Sequence, residues 1–257
     1  MADFKKIWLD IKFLIRNYFF PMLFVAAFFF FASFASRSVS KILCSNLIIN
    51  IENEDELRFL DKNDILAMLT EKNGRAFKNQ PISETNFYLL EKFLKNNSLV
   101  DNVDIYNDLK GNIFVDLSFR KPIIRIMSVY NENYYIDEKG EKMGISPKFS
   151  PKVPVATGHT YSTSTYPDYD KKLFELATFI SNDKFLSSLT GQIYVDFNKE
   201  ITIIPRIGNF EILLGEIANL DKKFRKLKIF YEKIIPAEGW KNYKKVDLRF
   251  EKQIVVN

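Results

Sequence analysis

Residues 100–119 read VDNVDIYNDLKGNIFVDLSF. Apolar residues fall at Val100, Val103 and Ile105, then at Ile113, Val115, Leu117 and Phe119. The second set keeps strict period two, which places all four on one face of a strand. Between the two runs, Asn107-Asp108-Leu109-Lys110-Gly111 is turn material, so the pair reads as a β-hairpin. A hairpin is at best marginally stable alone, so neighbouring segments must cover its apolar face.

The preceding residues supply that cover. Leu47-Ile48-Ile49-Asn50-Ile51 is short, β-branched and strand-like. Asp61-Lys62-Asn63-Asp64-Ile65-Leu66-Ala67-Met68-Leu69 reads as a helix, with Asp61 as the expected N-cap and Asn73-Gly74 as its stop. A second helix is expected from Ser83, with Phe87, Leu90, Phe93 and Leu94 at spacings of three and four. The order is therefore β-α-α-β-β, one three-stranded sheet covered by two helices. The acidic stretch Glu52–Glu56 reads as a solvated loop.

From about Lys121 the texture changes to short apolar alternations separated by turns, with a Pro-rich stretch from Pro147 to Pro154. A helix is expected over Lys172–Ile180 and strands over 193–197, 201–204 and 210–214. The helix Leu220–Ile235 places Leu220, Phe224, Leu227, Tyr231 and Ile234 on one face, with Lys222, Lys223, Arg225, Lys226 and Lys228 over much of the rest. Val246-Asp247-Leu248-Arg249-Phe250 alternates, and Ile254-Val255-Val256 continues the run. The fold class is α+β, with a mainly antiparallel second domain flanked by helices.

At the other end, residues 18–35 read YFFPMLFVAAFFFFASFA, uncharged and holding eight of the chain's 25 Phe. Eighteen helical residues rise about 27 Å, close to the hydrocarbon thickness of a bilayer. Lys5, Lys6, Lys12 and Arg16 precede the run, which keeps the N-terminus cytoplasmic and exports the chain beyond the helix. A cleaved signal peptide is the competing reading, since Ser33 and Ala35 are small. The expected organisation is a cytoplasmic tail (1–17), a transmembrane helix (18–35), a linker (36–43), a first domain (44–121) and a β domain (122–257).

Composition narrows the chemistry. One His, His159, and one Cys, Cys44, exclude an intrachain disulfide and a Cys/His metal cluster. Cys44 reads as a small buried apolar residue and His159 as a loop residue. Nine Gly leave little material for phosphate-cradling loops. Residues 36–257 hold 33 basic and 30 acidic side chains, a balance that argues against nucleic acid. No cofactor, metal or small-molecule substrate is indicated.

Several stretches resemble one family's pattern in order. Phe59-Leu60-Asp61-Lys62-Asn63-Asp64-Ile65 resembles "FLT..DI", Lys121-Pro122-Ile123-Ile124-Arg125 resembles "REPI.RV", and 134–140, YYIDEKG, resembles "YYID.DG". Lys152–Gly158, KVPVATG, resembles "RVPV..G", and Tyr243–Phe250, YKKVDLRF, resembles "Y..IDLRY". Together they resemble FtsQ/DivIB, the single-pass bacterial cell-division protein, in its Bacteroidota-like form. Family members often carry Gly before the late Gln, where this chain has Glu251-Lys252-Gln253.

The resemblance implies a POTRA domain followed by a β domain, no catalysis, and scaffolding in the inner membrane at the division septum. Implied partners are the bitopic proteins FtsB and FtsL and, through them, the septal peptidoglycan synthase. The implied partner-binding edge is Phe250, Glu251, Lys252, Gln253, Ile254, Val255 and Val256. A terminal strand pairs on one side only, so a partner segment can add as a further strand. Lys244, Lys245 and Lys252 read as charges that keep such an edge from self-pairing, the alternative being an interior strand over 246–256 with solvated lysines. The basic helix reads first as a solvated face and second as a source of electrostatic steering. Leu47–Ile51 or Val100–Ile105 offers a second surface for an extended peptide. Two rival readings stand beside this one: a POTRA accessory in outer-membrane protein assembly or secretion, and an exported carboxylate-dependent glycan hydrolase.

Overall fold

A computed structural model describes residues 18–39, 42–240 and 243–257 of the chain. The expected cytoplasmic tail, 1–17, lies outside the described residues. Helix α1 spans Phe20–Val39 and coincides with most of the expected membrane segment. Its side chains at Met22, Phe24 and Phe28 to Phe31 are exposed. Even so, among the described residues no helix is long and apolar enough to cross a membrane. Arg37 falls in the last turns of α1, and the side chains at 20 and 32–39 are outside the described set. The structure thus adds no support of its own to the transmembrane reading of 18–35.

The remaining chain divides into two compact units. The first takes in 62–94 and 103–116 with the residues up to Asn50; the second takes in 51–61, 95–102 and 117–257. The β-α-α-β-β order appears as expected: β1 (Asn46–Ile51), α2 (Lys62–Asn73), α3 (Phe87–Lys95), β2 (Val100–Asn107) and β3 (Asn112–Phe119). The three strands form one sheet in the order β1-β3-β2. Along β3, Ile113, Val115, Leu117 and Phe119 are all buried, which is the period-two face of the sequence. Ile65 and Leu69 of α2 and Leu90 and Leu94 of α3 are buried too, and supply the cover a half-apolar sheet requires.

Local chemistry explains the turns. The Asp108 carboxylate accepts from the backbone N–H of Lys110 and of Asn112, both at 2.8 Å, closing the hairpin. Gly111 there has φ +90°, and a Cβ would lie 2.3 Å from the Leu43 carbonyl oxygen. The second helix departs from expectation. Residues 82–84 form a short 3₁₀ turn, and α3 starts at Phe87, where Asn86 rather than Ser83 accepts from the Leu89 N–H at 3.1 Å.

The second unit holds a nine-stranded sheet in the order β12-β11-β10-β9-β8-β7-β4-β5-β6. Its strands are β4 (Pro122–Ser128), β5 (Asn133–Asp137), β6 (Lys142–Met143), β7 (Val155–Gly158), β8 (Thr190–Val195), β9 (Ile201–Pro205), β10 (Glu211–Gly215), β11 (Lys245–Asp247) and β12 (Val255–Val256). The sheet is mainly antiparallel, as expected, with five antiparallel strand pairs, but it also holds three parallel ones. β4 runs parallel to β7, β7 to β8, and β10 to β11. Helices explain two of these pairs. α4 (Tyr169–Ser181) and α5 (Lys184–Leu189) cross between β7 and β8, and α6 (Leu220–Ile229) between β10 and β11. A crossover of that kind returns the chain parallel, where a short turn would return it antiparallel.

Leu173, Leu176 and Ile180 of α4 and Phe224 and Leu227 of α6 join Ile126, Ile193, Ile203, Ile212 and Val246 of the sheet in one buried core. After Ile229 the helix widens to a π turn over Phe230–Ile234 and ends as α7 (Ile235–Glu238). The extra residue per turn shifts the buried face. Phe230 and Ile235 are buried, whereas the expected Tyr231 and Ile234 are partly exposed.

Candidate functional site

The C-terminal residues were expected to continue one strand from Val246 to Val256. They do not. β11 ends at Asp247, and the chain turns over 248–254 before returning antiparallel as β12, with Val246 opposite Val256 and Asp247 opposite Val255. The break is local chemistry. The Asp247 carboxylate accepts from the backbone N–H of Arg249 at 3.0 Å, an Asx turn that competes with the ladder. It also binds the Arg249 guanidinium through Nε and Nη2, the latter at 2.7 Å. That ion pair holds the Asp247 carboxyl below the usual carboxylate range. Gly215 makes room for the arrangement. It has φ +70°, and a Cβ there would lie 2.8 Å from Arg249 Cγ.

β12 is the strand at one edge of the sheet, with β6 at the other. Lys245 and Asn257 exchange two bonds, the Lys245 N–H donating to the Asn257 carbonyl at 3.0 Å and the Asn257 N–H to the Lys245 carbonyl at 3.1 Å. In an antiparallel ladder bonded residues alternate with residues whose N–H and C=O point away. Val256, next to Asn257, therefore turns its N–H and C=O outward. Val255 and Val256 are 38% and 40% exposed, so an incoming strand meets apolar side chains as well as free backbone groups.

The other expected site residues lie in the turn. Phe250 is 47% exposed, Glu251, Lys252 and Gln253 are exposed, and Ile254 packs partly against the core. Of the seven, Val255 and Val256 form edge strand, and the other five shape the approach to it. Lys244 and Lys245 are exposed beside the edge, and Lys245 faces Glu211 at 3.9 Å.

The basic helix face does different work from that expected. Lys226 Nζ donates to the carbonyls of Leu248 at 3.1 Å, Gln253 at 3.3 Å and also Phe250. Lys223 Nζ donates to the carbonyls of Leu214 at 2.8 Å and Glu216 at 2.7 Å. Lys228 pairs with Asp183, and Lys222 with Glu251 at 3.3 Å. Burial pushes the ammonium pKa values of Lys223 and Lys226 down. Lys223 and Lys226 hold backbone together, and Lys222 and Lys228 pair with carboxylates, so these charges have partners within the chain. Sequence shows the charges but not the carbonyls they meet, 22 to 27 residues away for Lys226.

Elsewhere, Cys44 is buried, and its thiol is raised by desolvation, as befits an apolar filler. His159 follows β7, its Nδ1 3.1 Å from the Tyr130 hydroxyl. Glu52, Glu54, Asp55 and Glu56 are exposed. Of the two proposed second surfaces, β1 and β2 are the outer strands of their sheet. On β2, the Ile105 N–H is already taken by the Glu91 carboxylate of α3 at 2.8 Å.

The chain thus joins a small α/β module to a helix-backed sheet that has a short strand at one edge. The family described as FtsQ/DivIB, C-terminal related, matches residues 121–257, and a POTRA-like domain matches residues 42–118. The chain belongs to the FtsQ/DivIB family. The family is generally non-enzymatic, acts in cell division through protein–protein interactions, and points to a division-related scaffold. No curated protein matches the chain.

Proposed function

We propose that this protein is a non-enzymatic divisome scaffold that receives a strand from a bitopic division protein of the FtsB or FtsL type along the outer side of β12. That partner in turn connects to the septal peptidoglycan synthase. The observation that carries the reading is the outward N–H and C=O of Val256 on the C-terminal edge strand of the sheet. Main-chain bonds at such an edge give affinity, and alternate side chains give specificity. Phe250, exposed in the adjoining turn, offers an aromatic contact of the kind that dominates interface energetics.

In this reading residues 18–35 anchor the chain in the inner membrane, with 1–17 cytoplasmic and the two units periplasmic. The uncharged, Phe-rich sequence of that run and the lysines and arginine before it support the reading. Anchoring confines both partners to one membrane and raises their effective concentration.

The test is capture of the exported segments of candidate FtsB- and FtsL-type proteins by the full chain in detergent. Binding to either supports the reading, and binding to neither removes it. Depletion in cells is expected to give filaments, and the fluorescently tagged chain to collect at septa. Normal septation without the protein would count against the division role. Extraction from membranes by alkaline carbonate would overturn the anchor.

A further inference from the structure

We propose that Lys226 is the positioning residue of the docking edge: its ammonium fixes the turn 248–253 and thereby sets the place of β12. The inference rests on the reading of β12 as the edge that receives a partner strand.

An ammonium carries three N–H donors and no acceptor. At Lys226 all three have carbonyl partners, at Leu248, Phe250 and Gln253, and all three carbonyls belong to the turn that joins β11 to β12. The start of the turn has holds of its own: Leu248 is buried and its N–H donates to the Leu213 carbonyl at 2.9 Å, and Arg249 Nη1 lies 3.4 Å from Glu200. Asp247 fixes its first residues through the Arg249 N–H, and Ile254 reaches the core at its far end. The Lys222–Glu251 pair is solvent-exposed on both sides, a kind of contact that contributes little.

β12 itself cannot anchor the turn. Its pairing runs only from Val255 to Asn257, and the side chains of Val255 and Val256 stay more than a third exposed. So short a ladder with so little burial does not sustain itself. Its position follows from the turn, whose exposed middle, 250–253, is held by Lys226 through the carbonyls of Phe250 and Gln253. Of the neighbouring lysines on α6, Lys222 reaches the turn through the Glu251 side chain, while Lys223 and Lys228 address other segments. Lys226 is also well placed to act without touching the partner, because its donors point into the turn rather than past β12. Its contribution to binding is preorganisation, since an incoming strand meets an edge already ordered.

The experiment compares Lys226→Met, Lys226→Arg and Lys222→Met in the full chain in detergent. Met keeps the aliphatic stem and removes the donors. Two readouts are taken: amide exchange at Lys245 and Asn257 without any partner, and capture of the exported segment of the FtsB-type protein from the same cell. For Lys226→Met, exchange at both amides is expected to speed up at least about tenfold, and capture to weaken by a similar factor. Exchange in β9 should stay unchanged. Lys226→Arg should recover part of both, because guanidinium restores donors in a planar fork that fits fewer of the three carbonyls. Lys222→Met should match the parent.

Unchanged exchange at Lys245 and Asn257 in Lys226→Met would overturn the proposal. So would lost protection with capture at the parental level. If the parent chain captures nothing, the docking reading falls and takes the positioning role with it, while the exchange arm still reports whether Lys226 holds β12.

Discussion

The outer strands β2 and β12 face the same physical problem and meet it in opposite ways. Each exposes backbone donors and acceptors that invite pairing with another chain. At β2 a side chain from the covering helix reaches over the rim, and Glu91 takes the Ile105 N–H. At β12 the helix also supplies a side chain, but Lys226 reaches the turn behind the strand and leaves Val256 facing outward. One device caps an edge donor, and the other leaves an edge donor free. On the proposed function, the difference separates a strand that completes a sheet from a strand presented to a partner.

That contrast can be broken from several sides. The largest effect is expected from the platform under Lys226. Phe224→Ala removes a fully buried ring from α6, the helix that carries Lys226. It should destabilise the second unit by about 3–5 kcal/mol in denaturant titration and abolish capture with it. Loss of capture without loss of stability would mean that the ring acts at the interface rather than beneath it.

The next effect comes from the start of the turn. Asp247→Asn weakens the bonds to Arg249 and should cost about 1–2 kcal/mol at neutral pH. The sign of its pH dependence is fixed. The folded-state pKa of Asp247 is depressed, so its contribution is present above the ordinary carboxylate value and is lost as pH falls through the lower folded value. Stability against pH, measured from about pH 6 down to about pH 2, should therefore fall more steeply in the parent than in the Asn variant. Parallel curves would remove Asp247 from the account.

Uncapping the β2 edge is expected to have a smaller effect. Glu91→Ala deprives the Ile105 N–H of its acceptor, at a cost of about 1 kcal/mol. Exchange at the Ile105 amide should accelerate, and sedimentation should show concentration-dependent self-association through β2. A strictly unchanged association state would show that the β2 edge is protected by something other than Glu91. The smallest effect is assigned to Lys222→Ala. Its exposed pair with Glu251 should be worth less than about 0.5 kcal/mol, and a larger loss would move part of the hold on the turn from Lys226 to Lys222.

Much of the fold is legible in the residues because the relevant forces are local. The period-two face of β3, the spacing of Leu90 and Leu94, and the Asn107–Gly111 turn state the hairpin and its cover within a few residues of one another. The unit order of the first domain follows from them. The C-terminal edge is harder. Alternation runs through Val246 to Phe250 as if the strand continued, and only the spacing of Asp247 and Arg249 signals the Asx turn that ends it. Nothing within the turn announces Lys226, since its three carbonyl partners lie at least 22 positions away. The π turn after Ile229 is equally silent, because helical spacing assumes 3.6 residues per turn. It moves burial from Tyr231 and Ile234 to Phe230 and Ile235. Parallel pairing of β4, β7 and β8 depends on crossovers whose direction the strands themselves do not encode.

The central claim is that a partner adds as a strand outside β12, and one substitution addresses it most directly. Val256→Pro removes the outward N–H while the inward bonds between Lys245 and Asn257 have no need of it. Capture of the exported FtsB-type segment should weaken at least about tenfold, the loss of one main-chain bond and the fit around it. The thermal midpoint should hold within about 2 °C. Capture by the Val256→Pro chain at the parental level would contradict strand addition at this edge.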